Sequence, residues 1–182
     1  MYKPTPLTPA QPVPSLEVTL TDGTAWSLTT NAGENFTLIN FYRGLHCPKC
    51  RDNLKGLEEA LPGLAEQGVS VLAVSMDPPE RGAEAKEEWG LANTPMAHSL
   101  TLEQAKAWGL HISSGRGQTS TGHEETKVFN EPGTFLVRAE GTLYASWVQT
   151  VPFGRPEAAD LLAMIRFVNE KDYPPRGTHT DV

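Results

Sequence analysis

Phe36-Thr-Leu-Ile-Asn-Phe-Tyr-Arg-Gly-Leu-His-Cys-Pro-Lys-Cys50 is the stretch that decides the fold of this chain. Its first seven residues, Phe36–Tyr42, have the apolar, β-branched and aromatic content of a buried strand. Beyond Cys50 come Leu54, Leu57, Leu61 and Leu64 at spacings of 3, 4 and 3, the stripe of an amphipathic helix. Cys47 and Cys50, the only two cysteines, therefore fall where strand gives way to helix. Pro48 suits the first helical position, where an N–H has no partner within the helix anyway. Cys47 then stands at or just before the helix start, with its sulfur near unpaired amides and the positive end of the helix dipole. Such a thiol ionises more readily than a free cysteine, whose pKa is about 8.5. Arg43, His46 and Lys49 bring further positive charge to the same turn. The expected outcome is a reactive, outward-accessible thiolate at Cys47, with Cys50 one turn along and able to close a disulfide onto it.

Working outward, the composition excludes several classes. At 182 residues with 38% apolar content the chain suits one soluble domain with a buried core. A net charge of −7 argues against nucleic acid or an anionic membrane surface as partner. No run approaches the roughly 20 apolar residues of a membrane-spanning helix, and Met1-Tyr-Lys-Pro-Thr-Pro6 lacks the apolar stretch of a signal peptide. Two cysteines so close together cannot staple a secreted fold, so a cytoplasmic protein with a redox pair is expected.

Residues 1–14 hold Pro4, Pro6, Pro9, Pro12 and Pro14 and should run as an extended arm. Packing on the domain or on a second subunit, in a homodimer, would hold such an arm down. A single domain is expected over residues 15–172 and a polar tail over 173–182. Ser15–Leu20 and Trp26–Leu28 flank Asp22-Gly23, a hairpin signal. The helix after Cys47 should run to about Gln67 and stop at Gly68, with Pro62 kinking or splitting it. Val69–Ser75 is the continuous apolar run of a parallel strand covered on both faces, completing a right-handed βαβ unit.

Asp77-Pro-Pro-Glu80 reads as the cap of a helix reaching about Trp89, and Met96–Ser99 as a short edge strand. Thr101-Leu-Glu-Gln104 is a second capping box, with Gly109 ending its helix. Ser113–Thr126 is polar and glycine-bearing, a long loop suited to substrate selection, a lid or simple mobility. Pro132–Val137 and Thr142–Val148 form a second hairpin. Pro156 then opens a last helix whose core stripe is Ala158, Leu161, Leu162, Ile165 and Val168. Trp26, Trp89, Trp108 and Trp147 read as packing residues.

A strand followed by Cys-x-x-Cys at the start of a long helix resembles the thioredoxin fold. Phe41-Tyr-Arg-Gly-Leu-His-Cys-Pro-Lys-Cys50 is similar to that turn in the redoxin branch, the alkyl hydroperoxide reductase/thiol-specific antioxidant proteins. The resemblance implies an α/β, thioredoxin-like three-layer fold with a central mixed β-sheet, helices on both faces and an N-terminal β-hairpin. It also implies Cys47 as attacking thiol and Cys50 as resolving thiol. Pro132-Gly-Thr-Phe135 matches the stretch in which thioredoxin-like proteins set a cis-proline beside the active cysteines, exposing the preceding backbone to a bound thiol or peptide. An ordinary trans proline at a strand start is the plainer alternative. Glu131 would raise a nearby thiol pKa, accept a proton from the second thiol, or simply face solvent. Arg155, in Pro152-Phe-Gly-Arg-Pro156, either reaches an active-site anion or flanks the last helix at the surface. Pro132, Glu131, Arg43, His46 and Arg155 are thus the candidate substrate-binding residues.

The resemblance also has gaps. Peroxiredoxins carry a proline seven residues and a threonine or serine three residues before the attacking cysteine, where this chain has Asn40 and Gly44. Pro132 stands where an arginine activates the peroxide in those proteins. The leading expectation is therefore a dithiol oxidoreductase working by thiol–disulfide exchange. A thiol-dependent hydroperoxide reductase, an antioxidant enzyme with Arg155 or Arg43 replacing the missing arginine, is the alternative. A second alternative is a non-catalytic protein-binding module using the 113–126 loop and the arm. No cofactor is expected. A zinc site would need two ligands from His46, His98, His111 and His123, which lack paired ligand spacing, so no metal is expected either. The expected partners are a thiol or disulfide substrate, protein or small molecule, or a hydroperoxide, together with a cellular thiol reductant.

Overall fold

Two apolar layers sandwich one sheet in the computed structural model of the protein, which describes residues 2–180. In chain order the elements are β1 (Glu17–Leu20), β2 (Ala25–Ser27), β3 (Phe36–Phe41), α1 (Pro48–Glu66), β4 (Val69–Val74), α2 (Pro79–Glu88) and β5 (Met96–His98). There follow α3 (Leu102–Ala107), β6 (Ile112–Ser114), β7 (Val128–Asn130), β8 (Gly133–Arg138), β9 (Leu143–Val148) and α4 (Ala158–Lys171). The main sheet runs β2-β1-β5-β4-β3-β8-β9, with β3, β4 and β5 parallel and the remaining neighbours antiparallel. This is the mixed-sheet, three-layer α/β architecture expected.

Strand alternation explains the layers. Phe36 and Leu38 of β3, with Val69, Val71 and Ala73 of β4, pack beneath α1 and α4 against Leu54, Leu57, Leu64, Leu161 and Ile165. Ile39, Phe41, Leu72 and Val74 point the other way, toward Trp26, Ala105, Trp108 and Leu110. Every residue of β3 is buried, because both faces are covered. β3 therefore delivers the Arg43–Cys50 turn from the middle of the sheet rather than from a frayed edge.

Several expectations change. The segment read as an edge strand, β5, lies inside the sheet: the N-terminal hairpin adds itself along its free side, pairing Leu20 with Ala97. Pro62 does not split α1, which is continuous through it; buried Leu57 and Leu64 on either side anchor both halves to the core. Asp77 is not the cap of α2, whose N-cap is Pro78 without a side-chain hydrogen bond. The polar 113–126 stretch is framed by the two-stranded β6–β7 sheet, and Gln118 and Glu124 bridge inside it. What holds the proline-rich arm is its own chain: Ala10 and Val13 donate N–H bonds to Leu143 and Gly141, and Leu143 donates back to Gln11. Among the described residues no helix is long and apolar enough to cross a membrane.

Candidate active site

Cys47 is the N-cap of α1 and Pro48 its first residue, as the sequence implied. The Cys47 sulfur accepts the Cys50 N–H at 3.2 Å, so the thiol side chain fills the capping role usually given to an oxygen. The two cysteines are joined as a disulfide, with Cα atoms 5.2 Å apart. Both are buried, Cys47 at 1% exposure and Cys50 at 0%. The outward accessibility expected of Cys47 is absent in this oxidised state, because neighbouring chain covers the turn. From the 115–126 segment Thr119 Oγ1 donates to His46 O at 3.2 Å. From the other side, Arg155 reaches over Cys50.

On the first side sits Arg43. Its N–H donates to Cys50 Sγ at 3.4 Å. Its guanidinium lies 4.8 Å above the Phe129 ring, 3.4 Å from Glu125 Oε1 and 3.2 Å from Glu131 Oε2. The Glu131 contact is an ion contact without hydrogen-bond alignment. Glu131 is buried rather than solvated, and Ser113 Oγ donates to its other oxygen at 2.6 Å. His46 is fully buried against Phe129, ring centres 4.8 Å apart, with neither ring nitrogen bonded. Burial, with help from the Arg43 charge, pushes it down to about 4, so it is neutral at neutral pH and adds no positive charge to the turn. Lys49 is about half exposed and faces Asp52 at 3.9 Å. Of the three cations expected around Cys47, one is neutral, one is solvated and one is matched by two carboxylates.

The second side is built by the segment between β9 and α4. Arg155 Nη1 stands 3.7 Å from Cys50 Sγ, and Nη2 donates to Lys49 O. Among the described residues no carboxylate lies within ion-pair distance of it. Burial, then the nearby Arg43, lowers Arg155 to about 10, which still leaves it cationic at neutral pH. A cleft of about 310 Å³ opens beside it, lined by Lys49, Asn53, Phe153 and Glu157 among others.

The AhpC/TSA family matches residues 9–146. The chain belongs to the AhpC/TSA family. It is 28% identical over 139 residues to Rv2521 of Mycobacterium tuberculosis, provisionally named a peroxiredoxin, covering 75% of this chain and 87% of that one. Its fold is similar to that of the peroxidoxin BcpB of Mycobacterium tuberculosis (TM-score 0.70, 19% identity, 89% and 98% of the two chains). It is similar also to Plasmodium vivax 2-Cys peroxiredoxin (0.72, 18%, 92% and 84%) and Xanthomonas campestris peroxiredoxin Q (0.65, 24%, 91% and 98%). As an AhpC/TSA protein the chain is a thiol-dependent oxidoreductase, of the thiol–disulfide or thiol peroxidase kind.

The places where this AhpC/TSA chain departs from the peroxiredoxin pattern each have a structural counterpart. Asn40 donates to Asn53 Oδ1 at 3.0 Å, and Asn53 donates to Pro156 O at 3.4 Å, so β3 and α1 together hold the segment that carries Arg155. Gly44 is close-packed by Asp77, which accepts the Leu45 N–H at 2.7 Å. Pro132 follows a trans peptide bond, since no cis bond occurs among the described residues. The cis expectation fails because the chain passes straight from β7 to β8, with Glu131 N–H bonded to His111 O and Pro132 O accepting from Gln149. Neither Asn40, Asn53 nor Asp77 was identified from sequence as a site residue. The available signal was Asn40, a polar residue in the middle of a strand read as buried.

Metal-type donors gather at Glu84, Glu88 and His123, whose ligand atoms lie within 4.8 Å of one another. That group includes neither cysteine, and His123 Nε2 is already 2.9 Å from Glu88.

Proposed function

We propose that this AhpC/TSA protein is a thiol-dependent hydroperoxide reductase acting through Cys47 and Cys50. The Cys47 thiolate attacks a hydroperoxide oxygen; an S–O bond forms, the O–O bond breaks, and water or an alcohol leaves after taking a proton. The Cys50 thiol then attacks the resulting sulfenic acid, releasing water and closing the Cys47–Cys50 disulfide. Two electrons from an external thiol reductant restore both thiols by exchange.

The observation that carries this reading is Arg155, a partly buried cation 3.7 Å from the Cys50 sulfur with no carboxylate among the described residues within ion-pair distance. A positive charge held at that point stabilises the oxyanion that develops as the O–O bond breaks. It supplies the cation that Pro132 does not carry. Family membership and the peroxiredoxin neighbours weigh on the same side.

Dithiol–disulfide exchange with a protein or small-molecule disulfide is the second reading. It is favoured by Gly44 and Pro132, which place neither a hydroxyl nor a guanidinium where a peroxide would be polarised. Stopped-flow mixing of the reduced protein with hydrogen peroxide separates the two. Peroxide reduction predicts oxidation far faster than that of free cysteine. A rate no greater than the free thiol's removes the peroxidase reading and leaves exchange.

A further inference from the structure

Gly44 lies three residues before Cys47 with φ at +136°. A Cβ built on it would stand 2.7 Å from Asp77 Oδ2 and 2.8 Å from Oδ1, closer than real Cβ contacts come. The room a side chain would need at this position is therefore filled, by a carboxylate arriving from the connection between β4 and α2. Asp77 is wholly buried. Its Oδ2 accepts the Leu45 N–H at 2.7 Å and its Oδ1 faces Arg81 Nε at 3.2 Å. Its own backbone is held as well: the N–H donates to Ser75 Oγ at 3.3 Å and the carbonyl accepts the Ser99 N–H at 2.7 Å.

This carboxylate does not cap α2, whose N-cap Pro78 makes no side-chain hydrogen bond; its one tie to that helix is the pair with Arg81. Burying a carboxylate is costly unless hydrogen bonds and a counter-charge compensate, and here the shortest of those bonds goes to the cysteine turn. The Leu45 amide belongs to the tight turn in which Gly44 O accepts the Cys47 N–H at 3.0 Å. Arg81 continues the contact outward, donating to Glu124 O at 2.9 Å in the segment that covers the cysteines.

The geometry points to Asp77 as the positioning residue for Cys47: through the Leu45 N–H it fixes the turn that aims the sulfur, occupying the space where a side chain at position 44 would stand. The inference rests on the reading of Cys47 as the attacking thiol. It explains why no hydroxyl is present at position 44, and it predicts that none can be restored there while Asp77 remains.

The test uses the full chain with Asp77→Ala and Asp77→Asn. Asparagine keeps an oxygen for the Leu45 N–H, whereas alanine removes it. Two rates are measured on the reduced protein: oxidation by hydrogen peroxide, and alkylation of Cys47 by iodoacetamide in a Cys50→Ser background. Both rates are expected to fall at least about tenfold in Asp77→Ala and to stay within about threefold of the parent in Asp77→Asn. Circular dichroism checks folding; if the alanine variant does not fold, Asp77→Ser, too short to reach Leu45, replaces it. Alkylation within about twofold of the parent in the alanine or serine variant, or equal losses in it and the asparagine variant, overturns the proposal. The two readings fail separately. If Cys47 does not reduce peroxide, the parent is slow with peroxide yet the alkylation contrast persists. If Asp77 does not position Cys47, the contrast vanishes while the parent stays fast.

Discussion

Arg43 and Arg155 approach the same sulfur from two different regions of the fold. Arg43 belongs to the cysteine turn itself and touches Cys50 Sγ through its main-chain N–H at 3.4 Å. Its guanidinium is turned away into a cage of Glu125, Glu131 and Phe129. Arg155 comes from beyond β9 and offers the guanidinium directly, at 3.7 Å, with no carboxylate among the described residues within ion-pair distance of it. Both are arginines near one disulfide, yet only one has charge left for an anion forming there. The difference teaches that a cation's place in sequence says little about its use; its counter-charges decide.

The largest expected effect tests that division. Arg155→Met should slow oxidation of the reduced protein by hydrogen peroxide about a hundredfold, equivalent to about 2.7 kcal/mol in activation free energy. Stopped-flow fluorescence measures it, and a loss of less than about threefold would erase the distinction between the two arginines.

Arg43→Met should instead act on stability. It strands the buried Glu131 and the mostly buried Glu125, and should cost about 2 kcal/mol in a denaturant titration, a partly exposed version of breaking a buried pair. Its peroxide rate should remain within about threefold of the parent. A rate loss matching that of Arg155→Met would show that the caged arginine serves the chemistry after all.

His46, packed in the Arg43 region, sets a pH dependence. Its folded-state pKa is depressed to about 4 from 6.5, so on acidification the unfolded chain takes up a proton before the folded one does. Stability is therefore lost as pH falls through that window, by about 2 kcal/mol between pH 7 and pH 5. Denaturant midpoints of the parent and of His46→Phe at the two pH values check this, and the phenylalanine variant should lose that part of the slope. The smallest effect belongs to Lys49→Ala, whose solvated side chain should matter by less than about 0.5 kcal/mol and about twofold in rate.

Much of the architecture was legible because its signals are local. The leucine stripe with Pro48 ahead of it located α1, and Thr101 with Gln104 formed the expected capping box. Asp77 misled because a capping residue and a buried anchor look alike in sequence; only the approach of the Leu45 amide distinguishes them. β5 misled because its length suggests an edge, while its place depends on a hairpin strand nearly 80 residues earlier, Leu20 beside Ala97, adding a neighbour to it. Glu131 could not be assigned at all until burial and Arg43 were seen together.

By itself, the amino-acid sequence determined that a cysteine pair would open a helix directly after a buried strand, since residue spacing, proline at the helix start and the apolar run lie within one short stretch. Only the tertiary structure decided the electrostatics around the sulfurs. Arg155 meets Cys50 across 105 residues, and Asp77 meets Leu45 across 32. His46 is neutral because the folded chain buries its ring. Desolvation and charge pairing depend on distance in space, and no local pattern encodes that distance.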